Sequence, residues 1–185
     1  MTKSKGQIIS LDFIVSMSLF TFIIGMSIFI WNNLNTQIDE GEKNNMLQTE
    51  LISISTMLIE TPGTPNNWNI FSPSEIDQIS QLGLAVSSNE LSSDKIAALQ
   101  NLNSTSADYY NTKKLLGLNF EEVYIEFTDI DGNPLNINGK DMKFGIFPQS
   151  SGSIFGISRP IIIENDGNDG IRSIGNMNMY LWVTV

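Results

Sequence analysis

The run from Phe13 to Trp31 constrains this chain more than any other feature. It holds 19 residues and no charge, and its polar members are Ser16, Ser18, Thr21 and Ser27. As a helix it measures about 28 Å, close to the ~30 Å hydrocarbon core of a bilayer. Each of the four hydroxyls can bond back to its own helix backbone, so none forces the segment out of an apolar medium. Trp31 ends the run with an amphipathic ring suited to a membrane interface. Lys3 and Lys5 precede it, and Asp39, Glu40 and Glu42 follow it. The basic flank stays cytoplasmic, which predicts an inside N-terminus and places residues 32–185 outside.

Three readings of this segment compete. A secretory signal has an apolar core of about 7–15 residues and a small-residue cleavage site after it. Here the core is longer, and Trp31-Asn32-Asn33 offers no such site. A plain uncleaved anchor is the second reading. The third is a leader cut before the apolar run, which leaves that run on the mature protein.

The stretch Lys5-Gly6-Gln7-Ile8-Ile9-Ser10-Leu11-Asp12-Phe13 resembles the class III signal peptide of archaeal type IV pilins. The resemblance implies cleavage by a prepilin peptidase between Gly6 and Gln7, with Gln7 as the mature N-terminus. It also implies an assembly surface that begins at Asp12 and Phe13. The commoner archaeal pattern has one residue between Gln and Ser; here Ile8 and Ile9 both stand there, so Asp12 is the sixth mature residue. A carboxylate beside a bilayer costs up to ~2.5–3.5 kcal/mol at the helix centre and less near the ends, so Asp12 calls for a partner. In a filament that partner is the free amine of a neighbouring Gln7. Alternatively, Asp12 lies among the headgroups or favours the positive end of the helix dipole.

Residues 32–60 contain no Pro, and Gly41 is their one Gly. Met46, Leu47, Leu51, Ile54, Leu58 and Ile59 recur at spacings of three and four, the pattern of an amphipathic helix. Thr61-Pro62-Gly63-Thr64-Pro65 ends it. A helix from Gln7 to Glu60 would be about 81 Å long, with Gly25, Gly41 or the Asn-rich 32–41 stretch as candidate bends. Trp68, set among turn formers, is expected as a buried loop anchor. Its T-P-G-x-P-x-N-W context, with Gly83-Leu84-Ala85 further on, is similar to a pattern in archaeal membrane proteins with such leaders.

Ser72-Pro73-Ser74-Glu75 starts a helix over 73–80. Gly83–Val86 reads as a short strand, Ser92/Ser93 cap a helix to Leu102, and Ala107–Leu116 forms another, closed by Gly117. Strands are expected over 120–128, 140–147, 154–164 and 174–185. The last should lie inside the sheet. The predicted class is α+β: a leader (1–6), a transmembrane or assembly helix (7–31), its amphipathic continuation (32–60), and an extracellular head (61–185). In that head an antiparallel sheet with a small helical insertion packs on the helix, in a pilin-like plan.

With no Cys and no His, thiol nucleophiles, Cys/His zinc sites and Ser-His-Asp triads are excluded. Ten basic against twenty acidic residues, net −10, leave no phosphate-neutralising surface, so no nucleic-acid partner is expected. No Gly-rich phosphate loop occurs, and no cofactor or enzymatic activity is expected. Asp129, Asp131 and Asn133 alternate as in a calcium loop, but Lys140 stands where an EF-hand needs Glu; Glu164, Asp166 and Asp169 form a similar cluster. Asn103-Ser104-Thr105 is a glycosylation sequon in a polar loop. Glu121-Glu122 are expected as solvated edge charges. The function expected is that of a structural subunit of a type IV pilus-like surface filament, with other pilin subunits, the prepilin peptidase and the membrane as partners. The alternative is an uncleaved single-pass anchor carrying an extracellular binding head.

Overall fold

A computed structural model describes residues 5–149, 153–164 and 172–183. The chain divides into two compact parts, Met1–Asn45 and Met46–Val185. One helix, α1 (Lys5–Glu60, 56 residues), contributes to both. It starts two residues before the expected Gln7. It also runs through Gly25, Gly41 and the Asn-rich stretch unbroken: glycine lowers helix stability without ending a helix when the flanking turns are strong formers.

In the first part, the large apolar side chains of α1 from Leu11 to Ile38 face outward, Phe13, Phe20, Phe22 and Trp31 among them. In the second part the helix changes character. Leu47, Leu51, Ile54 and Leu58 are buried at steps of four, three and four, one stripe of the helix surface. Met46, expected on this stripe, is 62% exposed. It sits one residue, about 100° of helix, away from Leu47.

After the helix come a turn of 3-10 helix at Trp68–Ile70 and another at Pro73–Gln78. The second carries the predicted capping box of Ser72 and Glu75, but six residues in 3-10 form replace the expected longer helix. Strand β1 (Ala85–Ser87) turns into β2 (Glu90–Ser92), and α2 (Ser93–Asn101) follows, capped by Ser92. α3 (Ser106–Leu115) starts with a Thr105–Asp108 capping box, and Gly117 follows it at φ +89°. Then come β3 (Glu121–Asp129), β4 (Asn136–Ile137), β5 (Lys140–Asp141), β6 (Lys143–Gly145), β7 (Ile154–Glu164) and β8 (Arg172–Val183).

The main sheet has the order β1-β2-β7-β8-β3-β6, and β4 pairs with β5 separately. As expected, β8 is interior, held by β7 and β3 along its length. Three details depart from the sequence reading. The strand expected over 140–147 is two short strands, because Met142 turns into the core between them and its N–H and C=O bond to Leu135 and Phe127. β2 was not foreseen as a strand. It pairs with β7 in parallel, so the sheet is mostly, not wholly, antiparallel. Within this part the inner face of the sheet (Val123, Ile125, Phe127, Met177, Met179, Leu181, Ile161, Ile163) shares one core with the α1 stripe, Trp68, Ile96 and Leu99. The head is thus α+β, built on the last turns of α1.

Candidate functional site

The first candidate is the exposed apolar length of α1. Leu11, Phe13, Phe22 and Phe29 are each about two-thirds exposed, as is Trp31. Three of the four hydroxyls foreseen to bond back do so: Ser18 donates to the Ile14 carbonyl, Thr21 to Met17 and Ser27 to Ile23, each at 2.8 Å. Asn33 and Thr36 repeat the pattern on Phe29 and Asn32. These five side chains therefore turn their polar atoms inward to the helix backbone. Contiguous exposed apolar surface beyond a few hundred Å² marks an interaction or membrane site. With a mean hydropathy of 2.3 over its most apolar stretch, the helix is long and apolar enough to cross a membrane. Asp12 is exposed at its start. The backbone of Gly6 and Gln7 lies in the first turns of α1; their side chains fall outside the described ones.

The second candidate is the loop that holds Trp68. Trp68 is 1% exposed, and its indole N–H donates to the Gly83 carbonyl at 2.7 Å. A Cβ on Gly83 would stand 2.2 Å from the Thr61 carbonyl oxygen, and one on Gly63 (φ +82°) 2.6 Å from the Trp68 ring. The spacing Gly63…Trp68…Gly83 is therefore a packing requirement: both glycines let backbone and indole touch. Lys95, from α2, completes the knot. Its ammonium donates to the carbonyls of Pro62 (2.8 Å) and Ala85 (3.3 Å) and to Asn66 Oδ1 (3.0 Å). Beside it lies a cavity of about 350 Å³, lined by Asn66, Asn67, Asn69, Val86, Ser92 and Lys95 among others. The sequence reading found Trp68 through its turn context. It missed Lys95, which lies 33 residues from Pro62 on another element.

A third cluster corrects the sequence reading. Glu121 and Glu122 are not solvated edge charges. Glu122 pairs with the buried Lys113 ammonium at 2.9 Å and accepts from the Tyr109 hydroxyl. Glu121 is buried and accepts from the N–H groups of Asn119 and Phe120, each at 3.0 Å. Burial pushes the Glu121 carboxyl up, but backbone donors and Lys113 outweigh it and hold it below the usual range. Burial first, and then the Glu121 charge, push the nearby Glu50 carboxyl up. Burial, together with Glu122, also raises the Tyr109 hydroxyl well above its ordinary value. The misreading has two causes: Tyr109 and Lys113 of α3 engage Glu122, and the turn before β3 aims the N–H groups of Asn119 and Phe120 at Glu121.

The remaining sequence candidates sit in turns. Asp129 Oδ1 accepts from the N–H groups of Asp131 (2.9 Å) and Asn133 (2.8 Å), and Oδ2 from the Asn133 side chain (3.0 Å). The Asn133 contacts, side chain first, hold the Asp129 carboxyl below its usual range. These bonds make a closed turn, and among the described residues no group of three potential metal-ligating side chains occurs. Asp166 and Asp169 lie outside the described residues. Asn103 is half-buried between α2 and α3, and the sequon's Thr105 hydroxyl is engaged with Asp108.

No family model, curated protein or solved structure matches this chain.

Proposed function

We propose that this protein is a structural subunit of a type IV pilus-like surface filament. The observation that supports this best is the exposed, uncharged face of α1 from Phe13 to Trp31, directly after the Gly6-Gln7 step and Asp12. The reading places the N-terminus in the cytoplasm and the head outside. A prepilin peptidase removes residues 1–6, and residues 7–31 then leave the lipid to pack against like helices. That transfer exchanges lipid contacts for helix contacts, so the hydrophobic effect contributes little and packing must supply the drive. Asp12 supplies register by pairing with the free amine of a neighbour's Gln7. A contact between different patches that does not close into a ring propagates as a filament. Asn103 is the proposed glycan site. Modification before α3 is capped would find Thr105 free.

Mass spectrometry of membrane-derived protein tests the reading directly. A mature N-terminus at Gln7 is expected; an intact leader with Lys3 and Lys5 would sink it. A second reading, an uncleaved anchor with a binding head, is favoured by one observation: the cavity lined by Asn66, Asn67 and Asn69 beside Lys95. Side chains of this kind bond to polar, hydroxyl-bearing ligands. An intact leader together with saturable binding to the head would establish it.

A further inference from the structure

Lys95 and Asn66 meet where two fixed pieces of backbone converge. Lys95 is the third residue of α2, and its N–H bonds to the capping Ser92 hydroxyl at 3.3 Å. It is 6% exposed. Asn66 lies in the turn that the Trp68 N–H closes on the Pro65 carbonyl at 3.1 Å, and the buried indole anchors that turn. The Lys95 Nζ stands 3.0 Å from Asn66 Oδ1. The carboxamide carbon is one C=O bond, about 1.23 Å, beyond that oxygen. A small rotation of the carboxamide therefore gives the near-attack separation of about 3–3.5 Å. Of the ammonium's protons, the Pro62 and Ala85 carbonyls accept two, so the third points at Asn66. Burial favours the neutral amine, the nucleophilic form, over the ammonium. Beside the pair, the cavity lined by Asn66 and Lys95 opens a way out for a small leaving group.

We propose that Lys95 and Asn66 join in an intramolecular isopeptide bond. The Lys95 proton that lies on Oδ1 passes to the carboxamide, which leaves a neutral amine and an activated carbonyl. The Pro62 and Ala85 carbonyls keep the remaining two protons, so the new lone pair faces Cγ. The Nζ–Cγ bond forms, and a second proton moves from Nζ to Nδ2. The Cγ–Nδ2 bond then breaks, and the departing ammonia takes the proton from Oδ1. An ammonium and a carboxamide thus become a secondary amide and an ammonium ion, with no oxidant or co-reactant. Loss of that ion to solvent makes the exchange one-way. The product closes the loop from 66 to 95 covalently, in a chain that has no cysteine for a disulfide. A closure of this kind restricts the unfolded chain. The bond rests on neither reading of the function, because it involves no leader cleavage, filament contact or ligand.

Mass spectrometry of the full chain, extracted in detergent, denatured and digested with trypsin, reads the bond directly. Trypsin cuts after a lysine only when its amine is unmodified. The digest should therefore skip Lys95 and contain residues 44–113 as one fragment, lighter than its sequence by one ammonia. A succinimide at Asn66 loses the same mass but leaves Lys95 open to cleavage, so the two are distinguished. Asn66→Ala should restore both the sequence mass and the cut at Lys95, and should lower the melting temperature of the head. Asn67→Ala, next in the turn, should leave the bond in place. Two results would overturn the proposal: cleavage at Lys95 as complete as at Lys43, or ammonia loss with a blocked Lys95 that persists in Asn66→Ala. The first is read on the unaltered sequence, so it decides the matter even where a variant fails to fold.

Discussion

At the residue scale, the polar atoms of Lys95, Trp68 and Glu50 bear on the stability of the head. Lys95 satisfies two main-chain carbonyls and Asn66 at once. Lys95→Met should destabilise the head by about 2–4 kcal/mol in chemical denaturation, since it strands those acceptors without water. Trp68→Phe keeps the volume and drops one hydrogen bond, so about 1–2 kcal/mol is expected for the orphaned Gly83 carbonyl. Glu50 acts in the opposite sense. Its carboxyl is pushed above its ordinary value of about 4.5 by burial and by Glu121, and one of its oxygens is buried without a partner among the described residues. The folded head therefore binds that proton more tightly than the unfolded chain does. Stability falls as pH rises from 4.5 through the raised value, and the penalty persists at neutral pH. Glu50→Gln should raise the melting temperature at pH 7, and the gain should vanish below pH 4.5; a gain that does not depend on pH would refute this account.

At the element scale, α1 obeys two rules in one helix. Its N-terminal stretch is apolar all round, and its last turns bury one stripe. Leu51→Ala or Leu58→Ala empties a fully packed site and should cost the head about 2–5 kcal/mol. Phe22→Ala removes a larger side chain from the exposed stretch and should leave head stability unchanged, while weakening retention in the membrane or assembly. A loss of head stability in Phe22→Ala, read by the same denaturation, would contradict the division. Both regimes are legible in the sequence, because helical periodicity and its absence are local properties of composition. β2 is not legible: three residues of Glu-Leu-Ser carry no strand pattern, and only pairing with β1 and with the edge of β7 makes them one.

At the scale of the whole molecule, the proposed function depends on Asp12 and on the leader. Asp12→Ala should insert normally and still be processed, yet assemble poorly. Electron microscopy of sheared surface fractions would check it, and normal filaments would reduce the segment to an anchor.

Some properties follow from the order of residues alone. An uncharged stretch of 19 residues makes a helix long and apolar enough to cross a bilayer. Prolines at 62 and 65 end the helix that carries it, and the alternation over 120–128 predicts a strand, found at Glu121–Asp129. Each is a consequence of neighbours in the chain. Other properties needed the tertiary structure. Glu121 and Glu122 have the composition of solvated charges until the turn before β3 and α3 engage them. Lys95 is an ordinary helix lysine until Pro62, Asn66 and Ala85 surround it. The open edge of β7 exists only because β2 is three residues long and docks at one end. These depend on contacts between residues distant in sequence, and the free energy of burying a polar group or leaving a strand unpaired is set by what arrives beside it.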